Sequence, residues 1–385
     1  MITSLKMTPG VEQVLPRVNA RTRASLRRLS LDLHRHPELA FHETRAVARI
    51  TRWLEARGCQ VTTGIGGLPT AFRTDVGSRA GPSIVLIAEY DALPGLGHAC
   101  GHNLIAASML AAFDASRAYV EKTGLRLSLI GTPAEEDGGG KVQLITAGVF
   151  DDARAVLSTH AAPEAVWSAG ATNLGNLGRR IVFTGVASHA ASAPTHGVSA
   201  LSAVLLMLHG VDAWRLHLSD GSRVHGIILD GGRAVNAIPD RSEAVFALRS
   251  PDLQELRTME ARLGQIGRGA ALMTGTSMEL SESMPLYEPM QADTTLTRLL
   301  NQGLALAGHA IREEHHVLAS TDLGNVSRVA PTSWVRFPIT PHPIAGHSIE
   351  MREASATALA HQNAFAAAEI VGGAVLSFAA DHAEA

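Results

Sequence analysis

The sequence predicts an α/β protein: a mostly parallel sheet with helices on both faces, interrupted by a second, smaller βαββαβ unit. Three observations predict this. Strand-length apolar runs alternate with helix-length stretches up to about residue 175, the pattern of parallel strands joined by crossover helices. Three of those strands run into loops that carry Cys, His or Glu: Ser83–Ala88 into EYDALPGLGHACGHN, Leu125–Ile130 into GTPAEEDGGG, and Ala153–Leu157 into Ser158, Thr159 and His160. From about Asn176 the order becomes strand, helix, strand, strand, helix, strand, a split-βαβ plan.

Taken in order, about Val11 to Arg57 reads as two helices broken near His36-Pro37, because proline disfavours helical geometry in the residue before it. Strands follow at Gln60–Thr63, Ala71–Asp75 and Ser83–Ala88, the last a continuous apolar run suited to burial on both sides. Leu104–Glu121 reads as a helix and Arg126–Ile130 as a strand. The inserted unit comprises strand Arg179–Gly185, helix Ser199–Leu216, strands Arg223–Leu229 and Glu243–Arg249, helix Asp252–Ala271 and strand Ser277–Ser281. A helix resumes at Thr294, then a strand at Trp334–Phe337 and a long helix at Ser355–Ala379. The expected division is a discontinuous domain, 1–175 with 292–385, around an inserted domain, 176–291.

Bulk properties exclude several function classes. A chain of 385 residues with 46% hydrophobic and 18% charged residues is ordinary for a globular protein with a large core. A net charge of −3 offers no basic field for nucleic acid. The apolar runs are shorter than the roughly 20 residues of a membrane span, and MITSLKMTPG lacks the apolar segment of a signal peptide. Two cysteines, Cys59 and Cys100, make no disulfide framework. The expectation is a cytoplasmic protein acting on a small molecule, with neither nucleic acid nor membrane as partner.

The chemistry sits in the strand-end loops. Cys100 and His102 lie in a glycine-flanked turn beside Asp91; thiolate and imidazole suit zinc, and imidazole with carboxylate also suits manganese, nickel or cobalt. His98 reads as structural or supporting. Glu135 and Glu136 follow Pro133 at a strand end. In a regular strand adjacent residues face opposite ways, but in an irregular turn the two can divide roles, one binding metal and one moving a proton, as metal-assisted hydrolysis needs. His160 at its strand end is a further candidate ligand, as is His347 after the last strand. In the inserted unit, His189 and the loop Gly231–Asp240 with Asn236 read from spacing as plain turns; a His or Asn reaching a substrate would instead polarise a carbonyl or hold a carboxylate.

These stretches resemble the aminoacylase and carboxypeptidase group of metallopeptidases, in the amidohydrolase branch that cleaves N-acyl amino acids, p-aminobenzoyl-glutamate and dipeptides of β-alanyl-lysine type. The matching segments are LHRHPELAFHET, EYDALPGLGHACGHNLIA, GTPAEEDGGGK, STH, GVASHAASAPTHGVSAL, GGRAVNAIPD, STDLGNVS and GHS, in family order over nearly the whole chain. The resemblance implies a zinc-peptidase-like fold whose inserted domain is a ferredoxin-like lid and dimerisation module. It implies two divalent ions per subunit, manganese or zinc with nickel or cobalt as options, held by Cys100, His102, Glu136, His160 and His347. Glu135 is then the general base and acid, and Asp91 orients a ligand. His189 meets the substrate or the oxyanion, assisted by Asn236; His196, at a position where this chain departs from its relatives, is expected as a further substrate contact. A homodimer or higher homo-oligomer is implied as well. Asn103, Glu89, Asp137 and the Thr195-His196 pair depart from the pattern of relatives. The expected activity is hydrolysis of an amide in a small N-acyl amino acid or unusual dipeptide. Hydrolytic deamination of an activated aromatic amine is the alternative, and a non-catalytic binding protein, which would not need Glu135, is the remaining one.

Overall fold

The computed structural model describes residues 14–78, 82–310 and 316–383, so Val11 of the first expected helix and the amino-terminal MITSLKMTPG lie outside the described residues. Contacts divide the chain into two compact units. One comprises residues 1–172, 291–317 and 325–385, the other residues 173–290 and 318–324.

The first unit is built on a seven-stranded sheet in the order Val61–Thr63, Phe72–Gly77, Arg126–Thr132, Ser83–Glu89, Ala153–Ala162, Thr332–Pro338, Ser168–Ala169. The four central strands are parallel, Ser83–Glu89 pairing with both Arg126–Thr132 and Ala153–Ala162, and Thr332–Pro338 with Ala153–Ala162. The outer pairings are antiparallel. The sheet is therefore mixed, its parallel part confined to the centre. The short edge strands arrive through turns and need no crossover helix.

Ile84, Leu86, Leu127, Leu129, Leu157 and Phe337 join one apolar cluster with the helix layer, while Val85, Ile87, Ile130 and Val156, pointing the other way, are equally buried. Burial on both faces is why these strands read as continuous apolar runs. Helices His102–Val120, Thr294–Leu306 and Ala358–Ala383 pack on the sheet and on one another. His102–Val120 is apolar all round because sheet and neighbouring helices enclose it. Helix Ala20–Arg35 starts on Asn19, whose side chain accepts from the Thr22 N–H, buries Leu26, Leu29 and Leu33, and ends before Pro37. The long closing helix is Ala358–Ala383, and a short helix not read from the sequence, Ile349–Ala354, precedes it. The stretch Ala358–Asp381 has the length and mean hydropathy (1.5) to cross a membrane, contrary to the reading of its sequence, yet 78% of its most apolar window is buried, so it serves as a core helix.

The second unit is a four-stranded antiparallel sheet ordered Arg223–Asp230, Arg241–Ser250, Gly175–Thr184, Ser277–Tyr287. Helices Ala200–Arg215 and Leu253–Thr274 cover it around Phe183, Met207, Phe246 and Leu263. Asp252 caps the second helix by accepting from the Glu255 N–H at 2.7 Å. The segment 318–324 also belongs here, a connection the sequence does not announce: Leu174 N–H donates to the Ala319 carbonyl, and Arg249 to Ser320 Oγ at 2.7 Å.

Candidate metal centre

Glu89 pairs with Thr132 at the carboxyl ends of their strands, so Tyr90-Asp91 and Pro133–Glu136 leave the sheet side by side, where parallel α/β sheets place their sites. His160 lies on the neighbouring strand. That strand does not end at His160 as expected. It continues to Ala162 because Thr332–Pro338 pairs with it that far.

His102 is the hub. Its Nδ1 lies 2.9 Å from Asp91 Oδ1 and 3.1 Å from the Asp91 carbonyl oxygen, both acceptors. One ring proton is thus held on Nδ1, so that Nε2 is the nitrogen a cation can take once its own proton leaves. That Nε2 stands 3.6 Å from Glu135, 3.8 Å from Glu136 and 3.8 Å from Glu89. The second Asp91 oxygen accepts from the Glu136 N–H at 2.9 Å. One buried carboxylate therefore orients a ring and fixes the backbone of the next side chain. His160 donates from Nδ1 to the Ala161 carbonyl at 2.7 Å, leaving Nε2 3.6 Å from Cys100 Sγ. His347, in left-handed backbone at φ 51, places Nε2 3.7 Å from Glu136 Oε2.

Gly101, at φ 84, lets the Cys100 turn close on the sheet; a Cβ there would lie 2.6 Å from that of Ala161. Potential ligand atoms of Cys100, His102 and His160 lie within 4.8 Å of one another, as do those of Cys100, Glu136 and His347, and those of His102, Glu135 and Glu136. Zinc–ligand bonds of roughly 2.0–2.3 Å allow separations of about this size, and Cys100 belongs to two of the sets. Two buried atoms in the cluster, His102 Nε2 and Glu136 Oε1, have no hydrogen-bond partner. Such orphans are rare and costly, and a cation between them satisfies both. The residues fit a divalent metal.

The electrostatics agree. Burial pushes the Cys100 thiol up, and pushes Glu136 up to about 7 against the opposing pull of His102. Burial, reinforced by the Glu89 and Glu136 carboxylates, holds Glu135 well above the usual carboxylate range. Burial would lower His102, but Asp91 and Cys100 beside it raise it well above an ordinary imidazole. Burial and the neighbouring Arg336 bring His160 down to about 4. The metal-free cluster thus retains protons on Cys100, Glu136 and His102 that a cation must displace. Metal affinity is accordingly expected to rise steeply from pH 6 to 8, by at least tenfold per pH unit where one proton leaves. Competition with a chromogenic chelator measures this; a flat profile would contradict the ligand set.

The departures noted in sequence acquire places. Glu89 is buried and ion-paired with Lys141 Nζ at 2.7 Å, itself without exposure. Asn103 is buried and donates to Ser30 Oγ and the Ser355 carbonyl, so a neutral amide joins two helical segments there. Asp137 is exposed and adds no buried carboxylate beside the pair. His98 is buried against His34, and burial lowers it to about 3, a packed neutral ring. Sequence reading missed Lys141, although it closes the quoted GTPAEEDGGGK segment, and Glu43, in the LHRHPELAFHET segment.

In the second unit, His189 and Asn236 are brought together by a two-stranded ladder that pairs Ser188–His189 with Ala237–Ile238. His189 is exposed, and its Nδ1 accepts from the Ala191 and Ser192 N–H groups at 3.2 and 3.1 Å, leaving the neutral ring's proton on Nε2. His196 is exposed on the short turn Pro194–His196.

The sequence model of peptidase family M20/M25/M40 matches residues 85–361. The chain belongs to this family. Among curated M20-family relatives, it is 38% identical to the Xaa-Arg dipeptidase of Mus musculus over 312 residues, 77% of this chain and 72% of that protein. It is 35% identical to one component of the p-aminobenzoyl-glutamate hydrolase of Escherichia coli, over 71% of this chain and 60% of that one. Among solved structures, a dinuclear metal-binding M20 peptidase from Bacillus subtilis shares the fold at TM-score 0.71 and 20% identity, covering 94% of this chain and 99% of its own. As an M20-family member the chain is a metal-dependent hydrolase of amide bonds in small molecules.

Proposed function

We propose that this M20-family hydrolase cleaves small dipeptides and N-acyl amino acids, with dipeptides ending in arginine as the first substrates to test. The observation that carries the reading is Glu135. It is a buried carboxyl 3.6 Å from His102 Nε2, next in sequence to Glu136 and within ligand reach of both, so it borders the cluster that Cys100, His102, Glu136, His160 and His347 form. The choice of arginine dipeptides rests on the relative of highest identity named above.

Two divalent ions, manganese or zinc, held by those five residues would polarise a scissile carbonyl and acidify a water. Glu135 takes the proton of the attacking water and returns it to the leaving nitrogen; its raised affinity for a proton suits both steps. Asp91 keeps His102 in the tautomer whose Nε2 can bind metal. In the second unit we assign oxyanion contact to His189, whose Nε2 carries a proton to donate, and substrate contacts to Asn236 and His196. We take that unit to be the lid and dimerisation module. Its sheet ends in the exposed strand Arg223–Asp230, with Ile227 62% and Leu229 55% exposed, an edge that a second copy can extend. Light scattering is expected to give twice 40.6 kDa, and Ile227→Lys to give the monomer. A thiol ligand stays reduced in the cytoplasm, where we place the enzyme.

The test is product detection by mass spectrometry over Xaa-Arg and β-alanyl dipeptides, N-acetyl and N-benzoyl amino acids, p-aminobenzoyl-glutamate and activated aromatic amines, with Glu135→Gln as blank. Cleavage of an amide class by wild type alone supports the reading, whereas ammonia released from an aromatic amine replaces it with deamination. Cys100→Ser is expected to fold but to lose at least half of its bound metal by elemental analysis, because both ligand triads that contain Cys100 lose their thiolate.

A further inference from the structure

The segment LHRHPELAFHET has no part in the chemistry above, yet it grips the loop that carries Glu135. Glu43 is fully buried and immediately precedes helix Thr44–Glu55, but its side chain makes no cap hydrogen bond there. Instead its Oε1 accepts from the Phe41 N–H at 3.0 Å and from the Ala134 N–H at 2.9 Å. Both donors belong to non-glycine residues in left-handed backbone, Phe41 at φ 62 and Ala134 at φ 59. Such conformations are strained for residues other than glycine and persist only where the surroundings impose them. Ala134 directly precedes Glu135, and its carbonyl closes the following turn by accepting from the Gly139 and Gly140 N–H groups.

The Phe41 ring holds the far side of the same turn. Gly138 stands at φ 111, and a Cβ on it would lie 2.3 Å from that ring. The turn is therefore clamped at both ends by residues 41 and 43. Glu136, by contrast, has its own anchor, Asp91 Oδ2 on its backbone N–H.

We propose that Glu43 is a positioning residue that holds Ala134 in its strained conformation and so aims the Glu135 carboxyl at the metal cluster. The inference rests on Glu135 being the base. Because Glu136 is fixed independently, loss of Glu43 misdirects the proton-transfer group and spares the ligand set. Misplacement of a reacting group by about 1 Å can cost ~10²-fold in rate.

The experiment compares Glu43→Ala and Glu43→Gln, loaded with manganese, by steady-state kinetics, elemental analysis and amide hydrogen exchange over residues 134–140. Glu43→Ala is expected to lower kcat about tenfold or more, with KM within about twofold, bound metal at the wild-type level, and faster exchange in the loop. Glu43→Gln keeps an acceptor oxygen at the same reach and is expected to recover most of the lost turnover and protection. Should Glu43→Ala not fold, Glu43→Asp withdraws the acceptor by one methylene and gives the same comparison. Wild-type kcat and exchange without the acceptor would overturn the proposal, as would loss of metal in parallel with activity, which marks a folding role. Exchange is read without substrate: if wild type cleaves nothing in the panel, the hydrolase reading falls, and the exchange still decides whether Glu43 holds the loop.

Discussion

Glu135→Gln is expected to lower kcat by ~10²–10⁴-fold, the usual contribution of a positioned acid or base, while the protein keeps its fold and its metal. Glutamine matches glutamate in size and can accept the same hydrogen bonds, but it cannot take up a proton from water or deliver one to a leaving nitrogen. The position is buried beside Glu89 and Glu136, whose charges hold the Glu135 carboxyl well above the normal range once burial has raised it. Burial and the neighbouring carboxylates disfavour the ionised form of this side chain, so replacing it with a neutral amide removes that cost and stability is expected to rise or stay level. The signature is thus a large loss of turnover without loss of stability or of metal. Elemental analysis, thermal unfolding and kcat measured on one preparation check it. Turnover within a factor of three of wild type would remove Glu135 as the base.

Much of this site is visible in the sequence because parallel strands send their ends to one side. Once Ser83–Ala88, Leu125–Ile130 and Ala153–Leu157 are read as strands, the segments with Cys100, His102, Glu135, Glu136 and His160 leave the sheet on one side; which glutamate binds metal comes from the family resemblance. The hydrogen bonds that finish the site are not visible. That Asp91 serves both His102 and the Glu136 backbone depends on a loop geometry without periodicity. Lys141 reads as an ordinary lysine in the first turn of a helix, and only its place beneath Glu89 shows it to be buried. Glu43 reads as an acidic residue ahead of a helix, and its contact with Ala134 spans 91 positions. Asp137, prominent as a third carboxylate in sequence, turns outward. The antiparallel edges of the sheet and the assignment of 318–324 to the second unit are likewise long-range matters that local pattern does not encode.

Lys141→Met is expected to destabilise the metal-free first unit by about 3–5 kcal/mol, the cost of leaving a buried charge without its partner. Glu89 Oε1 lies 2.7 Å from Lys141 Nζ, and neither side chain has more than 3% exposure. Burial alone would raise the Glu89 carboxyl, and it is Lys141 that brings it below the ordinary range. Methionine fills the same space without charge, so the variant leaves the buried Glu89 carboxylate without its ammonium partner. Pairing it with Glu89→Gln removes that anion, and the double variant should regain most of the loss; the thermodynamic cycle isolates the pair. Lys141 also holds Glu89 back from the cluster: it anchors Oε1 at 2.7 Å, and the other oxygen, Oε2, stays 3.8 Å from His102 Nε2. Released from Lys141, the carboxylate is free to turn toward a cation. Metal should then stabilise Lys141→Met by more than it stabilises wild type, because binding supplies the missing positive charge. Unfolding temperatures measured in chelator and in excess manganese for the four proteins of the cycle test both statements. An equal metal-induced gain in wild type and Lys141→Met would show that Glu89 is held away from the ions by something other than this ion pair.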